Sequence, residues 1–234
     1  MHTFIFKRVR PLFLASVVWL LLSGVVPAQE VTDRMVATVN SSGRTDLLTY
    51  SDIIWQLALE PDKPLANPGQ ELLQQTLRRL IDLSIIGQEA AKLPTISPNE
   101  KEVSDEIRYL VSQFPSRSDF ETRLQAVGFR SIDDEQFRKF IEQRVAINKY
   151  VNFRFYSFVV ITSQQISTYY DEVYAPEYQK RAPGQIVPTL EQATKEIEAE
   201  LRTRQVASDI DTFLEGARAR AEIVYLYPER LGRS

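Results

Sequence analysis

The chain has 234 residues, a formal net charge of −3, one His and no Cys. A mildly acidic chain without a basic block is a poor ligand for nucleic acid, whose affinity comes from phosphate neutralisation. The one His is His2, so the rest of the chain has neither imidazole nor thiol, which excludes Ser-His-Asp and Cys-His nucleophile systems and the usual zinc sites.

Lys7, Arg8 and Arg10 precede an apolar run from Leu12 to Val26, and Val26-Pro27-Ala28 leads into polar Gln29 and Glu30. This layout predicts a secretory signal peptide cleaved after Ala28 and an exported, periplasmic protein. The alternative is an uncleaved segment anchoring the protein at the inner membrane, although the run is shorter than the ~20 residues that span a bilayer comfortably. The lack of Cys excludes a lipid-modified N-terminal Cys and fits an exported protein that does not rely on disulfides.

Met35 to Val39 reads as a short strand, followed by a turn cluster and a second apolar stretch, Leu47 to Tyr50. Thr49 or Ser51 then caps a helix bearing Ile53, Ile54, Leu57 and Ala58, which Pro61 ends. A loop rich in Pro and Asp leads to a long helix over 70–93, apolar on more than one side through Leu73, Leu77, Leu80, Ile81, Ile85 and Ile86, and so expected at the centre of a bundle. Ser97-Pro98-Asn99-Glu100 reads as a capping box with Pro at the first helical position, opening a helix with Val103, Ile107, Leu110, Val111 and Phe114. Ser118 to Glu121 reads as a second box, with Gly128 closing the short helix in a left-handed cap. A further helix is expected from Ser131 through Phe137, Phe140, Ile141 and Val145 towards Phe155.

Phe158 to Ile161 looks extended, and Thr162 or Ser163 starts a helix carrying Ile166, Tyr169, Tyr170, Val173 and Tyr174. Pro176, Pro183, Gly184 and Pro188 make 175–188 a connector. Thr189 to Gln192 is a third capping box opening a long helix to about Ala219, and 222–227 is a terminal strand. Two β segments at opposite ends of a helical chain leave backbone unpaired unless they meet, so the two are expected to pair.

As an ensemble, these residues resemble the N-terminal chaperone domain of SurA, PpiD and related periplasmic folding factors. Leu77-Arg78-Arg79-Leu80-Ile81-Asp82 with Gln88-Glu89-Ala90 is similar to the family's central helix, and Ser97 to Val103 to the start of its next helix. Phe120 to Gly128 followed by Ser131 is similar to its short helix and glycine turn. Phe137 to Phe155, then Val160-Ile161-Thr162 and Tyr169 to Glu172, resembles the arm leaving the domain, and Ala217 to Val224 the returning helix and final strand. The resemblance implies a mainly α fold with paired terminal strands and a C-terminal helix returning to the core. It divides the chain into signal peptide 1–28, helical chaperone core 29–160, short arm and connector 161–188, completing helix and strand 189–227, and tail 228–234.

In that family, parvulin-type isomerase domains of roughly a hundred residues lie between arm and returning helix, and the resemblance implies a His-lined pocket for their activity. Only 175–188 stands in that interval here, and no His is present. The expectation is therefore a non-enzymatic holdase without cofactor or metal. Its partners are unfolded or extended polypeptides, by the resemblance outer-membrane β-barrel precursors, and a homodimer formed by swapping the arm stays open. No phosphate-cradling glycine loop is present, which suits a compartment without ATP.

The densest aromatic supply, Phe153, Phe155, Tyr156 and Phe158, continued by Tyr169, Tyr170 and Tyr174 and then Tyr178, is the candidate client-facing surface. The competing expectation is that these rings bury the joint between helices. Asp133-Asp134-Glu135 and Asp171-Glu172 read as capping and solvated acids rather than an acid/base pair. A scaffold for one folded partner is the alternative function.

Overall fold

The computed structural model describes residues 33–41 and 43–226; the expected signal segment and the 228–234 tail lie outside them. The described part is mainly helical with one three-stranded antiparallel sheet. Strand β1 (Met35–Ser41) turns into β2 (Arg44–Thr49) through Gly43, whose φ of 79° suits a residue without Cβ. The second apolar stretch is thus itself a strand. Strand β3 (Glu222–Tyr225) pairs antiparallel with β1, Ala37 facing Tyr225 and Asn40 facing Glu222, so the first and last strands do meet. The order is β2-β1-β3.

Thr49 caps α1 (Tyr50–Ala58) in a reciprocal box with Asp52. Helix α2 (Gln70–Ala90) crosses the sheet and is fixed to it by the buried Gln88. The Gln88 amide donates to the Val39 carbonyl at 3.0 Å and to Asp46 Oδ2 at 3.1 Å, and its oxygen accepts from Ser41 N at 3.0 Å. Val36, Val39, Leu73, Leu77, Ile81 and Ile85 fill the core between sheet and helix.

Helices α3 (Glu100–Ser112), α4 (Arg117–Ala126) and α5 (Glu135–Val151) enclose a second core of Phe114, Phe120, Phe129 and Phe137, with successive ring contacts of 4.8 to 6.0 Å. Trp55 of α1 closes it, 4.8 Å from Phe129, with its Nε1 donating to the Val127 carbonyl at 3.1 Å. Gly128, at φ 100°, ends α4 as expected.

Three helix starts differ from the sequence expectation. The α3 cap is Asn99, in a reciprocal box with Glu102, because Ser97 N–H instead closes a 3-10 turn on the Pro94 carbonyl. The α4 cap is Ser116 rather than Ser118, its hydroxyl accepting from Asp119 N at 3.1 Å. The α5 cap is Asp134 rather than Ser131.

Asp134 accepts from Arg130 Nε at 2.8 Å, from Arg130 N at 3.2 Å and from Gln136 N at 2.9 Å. The Arg130 side chain first, and the backbone N–H groups after it, hold its carboxyl down at about 2. A depressed carboxylate contributes stability that is complete above its unfolded value, near pH 4, and lost as pH falls through the folded one. Asp134→Asn keeps a capping oxygen and removes the charge. The stability gap between wild type and this variant in urea unfolding is therefore expected to be open at neutral pH and to close between about pH 4 and pH 2.

Beyond α5 the helix runs on through a π turn, Asn152–Tyr156, and 159–162 joins no sheet. Thr162 caps α6 (Ser163–Tyr169) in a box with Gln165; a second π turn, Tyr170–Tyr174, leads into α7 (Ala175–Arg181). The expected connector at 175–188 is thus helical in its first half. Pro176 does not break the helix because it sits in the first turn of α7, where the missing N–H costs least, directly after a wider π turn.

Thr189 then caps α8 (Leu190–Arg220). Its first half packs Ala193 and Ile197 against Ile166 of the arm, and its second half packs Val206, Leu214 and Ala217 against the main core. The bidentate pair of Arg218 with Asp82 on α2, at 2.7 and 2.6 Å, fixes its end just before β3.

Candidate functional site

Two concavities stand out among the described residues. The larger is a half-open groove of about 690 Å³ bounded by β2, α1, α2, α5 and the 93–98 segment. Its apolar lining comes from Leu47, Leu80, Leu83, Leu93, Ile96 and Ile147, with Gly87 keeping the floor of α2 low. A Cβ at Gly87 would sit 3.5 Å from Ile147 Cδ1, so that side chain lies directly over the glycine.

Four charged side chains reach the groove, and each is already engaged within the chain. Arg44 pairs with Asp46 at 2.9 Å, and Asp46 also accepts from Ser84 at 2.7 Å. Arg144 pairs with Glu106 at 2.7 Å. Asp52 accepts from Thr49 in the α1 cap; burial pushes its carboxyl up, against the lowering effect of the Thr49 bonds. The groove therefore offers mainly apolar surface, with uncharged polar groups such as Thr45, Gln143 and Asn148 beside it, and no uncommitted charge.

The smaller concavity, about 400 Å³, lies within the arm between α7 and α8. Tyr174 and Tyr178 line it, stacked at 6.1 Å, and Tyr170 stacks on Tyr174 at 5.9 Å outside it. The Tyr174 hydroxyl donates to Glu196 at 3.1 Å, and burial together with that carboxylate raises its pKa. Arg204 lies over the Tyr169 ring at 5.1 Å and pairs with Glu200 at 2.6 Å. Among the described residues no group of three or more carboxylates is placed to hold a metal ion.

The aromatic residues singled out in the sequence divide into three sets. Phe153, Tyr156 and Phe158 are exposed at the base of the arm, Phe158 at 71 %, and Phe153 meets Phe158 edge-on at 6.2 Å. Tyr169, Tyr170 and Tyr174 are half-buried and pack on Ile166, Ala193 and Ile197, so their rings build the arm's own core. Phe155 is buried, edge-on to Phe213 of α8 at 5.6 Å, and is corrected from client-facing to structural. Within the π turn, position 155 turns inward while 153 and 156 turn out, and Phe158 lies beyond the helix in the turn that follows.

No family model and no curated protein matches this sequence. The geometry is left to speak for the site, and it favours the groove, which sequence reasoning missed. Its lining comes from five separated segments, and the one local signal was the pair Leu47-Leu48, of which Leu48 is buried and Leu47 is 58 % exposed.

Proposed function

We propose that this chain is an ATP-independent holdase for extended exported polypeptides, built on a SurA N-terminal-like domain and lacking an isomerase. The observation that carries the reading is the half-open, apolar, charge-compensated groove beside β2. A holdase must accept many sequences, which favours an open apolar trough over a deep pocket with convergent polar groups. The return of α8 and the pairing of β3 with β1 agree with the architecture that the resemblance implies. The short link 182–189 between α7 and α8 leaves no space for an inserted isomerase domain. The exposed Phe153, Tyr156 and Phe158 stand at the arm's base, outside the groove. Release comes from modest affinity and from the client's own folding. The reading takes the expected 1–28 signal segment as the route to the periplasm and, by the resemblance, outer-membrane barrel precursors as the clients.

Light scattering of a urea-unfolded barrel protein, diluted with and without the chain at near-equal concentration, tests this. Suppressed aggregation is the expected result. No suppression by a chain shown folded by circular dichroism would overturn the reading in favour of a scaffold for one folded partner, seen as a stoichiometric complex on co-purification.

A further inference from the structure

The groove runs along the outer edge of the sheet. Among the described residues β2 has β1 on one side and no strand on the other. Along β2, Asp46 and Leu48 turn towards α2, Asp46 bonding Ser84 and Leu48 being buried, while Thr45 and Leu47 turn to the opposite face and are exposed. Residues from both faces line the same groove. It therefore opens at the strand's edge, where alternate N–H and C=O groups point outward.

Edge strands of soluble proteins are usually blunted by Lys, Pro or a covering element. The β2 segment contains neither Lys nor Pro, and its only cation, Arg44, is committed to Asp46. The five groove-lining residues, Arg44 to Leu48, extend over roughly 16 Å at strand rise. The opposite edge, β3, is shorter and lines neither concavity.

We infer that β2 is a docking edge, on which a client segment adds as a fourth strand with its backbone bonded to β2 and its alternate side chains on Leu83 and Ile147. This rests on the holdase reading and names its ligand: an extended segment of roughly five residues, uncharged because every charge on the groove is compensated from within. A helical client would cover the apolar floor and leave the edge unused. Backbone pairing also explains how one groove can serve many sequences, since the ladder bonds are common to all of them.

Fluorescence anisotropy on the full chain tests the pairing with a labelled, end-blocked peptide of roughly eight residues alternating Val and Thr. Two N-methylated versions accompany it, one modified on the Val residues and one on the Thr residues. In a strand, alternate residues direct their N–H to opposite edges. One methylated peptide is therefore expected to bind about tenfold or more weakly and the other within about threefold of the parent. Leu47→Lys, an exposed substitution of the kind that protects natural edges, is expected to weaken the parent peptide by a similar factor. Equal binding of all three peptides would overturn the strand pairing while leaving the holdase intact. A parent peptide that fails to bind, with aggregation still suppressed, would also overturn it and move the clients off the groove. Failure of both assays would sink the underlying function as well.

Discussion

Phe137→Ala is expected to destabilise the protein by about 3–5 kcal/mol, enough to unfold much of a domain of ordinary stability. The ring is fully buried on α5, 5.3 Å from Phe129 and 6.0 Å from Phe120, and so ties α5 to α4 and to the turn between them at once. Truncation removes the apolar transfer term and leaves a cavity that three other rings cannot collapse into without losing their own contacts. Phe137→Leu keeps most of the volume and is expected to cost less than half as much. Urea unfolding followed by circular dichroism reads both. A loss below about 1 kcal/mol for the Ala variant would mean that this cluster does not hold α3, α4 and α5 together.

The second large effect is expected at Arg123, on the partly buried face of α4. Its guanidinium donates to four backbone carbonyls: Leu57 at 3.0 Å, Ala58 at 3.3 Å, Glu60 at 2.8 Å and Lys63 at 2.8 Å. These carbonyls belong to the α1 C-terminus and the loop after it, where the helix dipole favours a cation; Leu57 and Glu60 also accept from Glu60 N and Lys63 N. Burial pushes the guanidinium below its ordinary value, though such a group stays charged at any physiological pH. Arg123→Ala is expected to cost about 2–4 kcal/mol, because carbonyls lose charge-assisted partners that water replaces only in part. Arg123→Lys is expected to recover less than half of that, since one ammonium cannot span acceptors that a planar fork reaches together. Hydrogen exchange adds a local test. Amides of 59–64 are expected to exchange faster in both variants, and unchanged exchange there would remove Arg123 as the clasp.

Much of the helical frame was legible because caps and period are local chemistry. Thr189 forms the reciprocal box read from its sequence, and of the two caps open at each of the other helices the structure takes Thr49 and Thr162, both in reciprocal boxes. The caps of α3, α4 and α5 lay within three residues of the expected ones, since Ser97 competes with Asn99, Ser118 with Ser116, and Ser131 with Asp134, and only the path of the preceding turn decides between them. Pro176 misleads for a similar reason, because a proline's effect depends on its place in the helix and on the turn before it. Pairing of the terminal strands followed from the need to satisfy backbone groups. The site was less legible. Phe153 to Phe158 is a run too aromatic to phase by composition, so Phe155 looks like its neighbours until Phe213 is seen against it. The groove is assembled from residues 44–48, from 52 and 56, and from 80–91, 93–98 and 140–148, and nothing local in any of them marks a shared surface.

The most direct test of the holdase and its groove is the light-scattering assay repeated with two exposed-site variants, Leu47→Lys on the groove edge and Phe158→Ser at the arm's base. The expected result is that wild type and Phe158→Ser both suppress aggregation of the unfolded barrel protein at near-equal concentration, while folded Leu47→Lys does not. Full suppression by Leu47→Lys together with loss in Phe158→Ser would contradict the account and move the clients to the arm's aromatic surface.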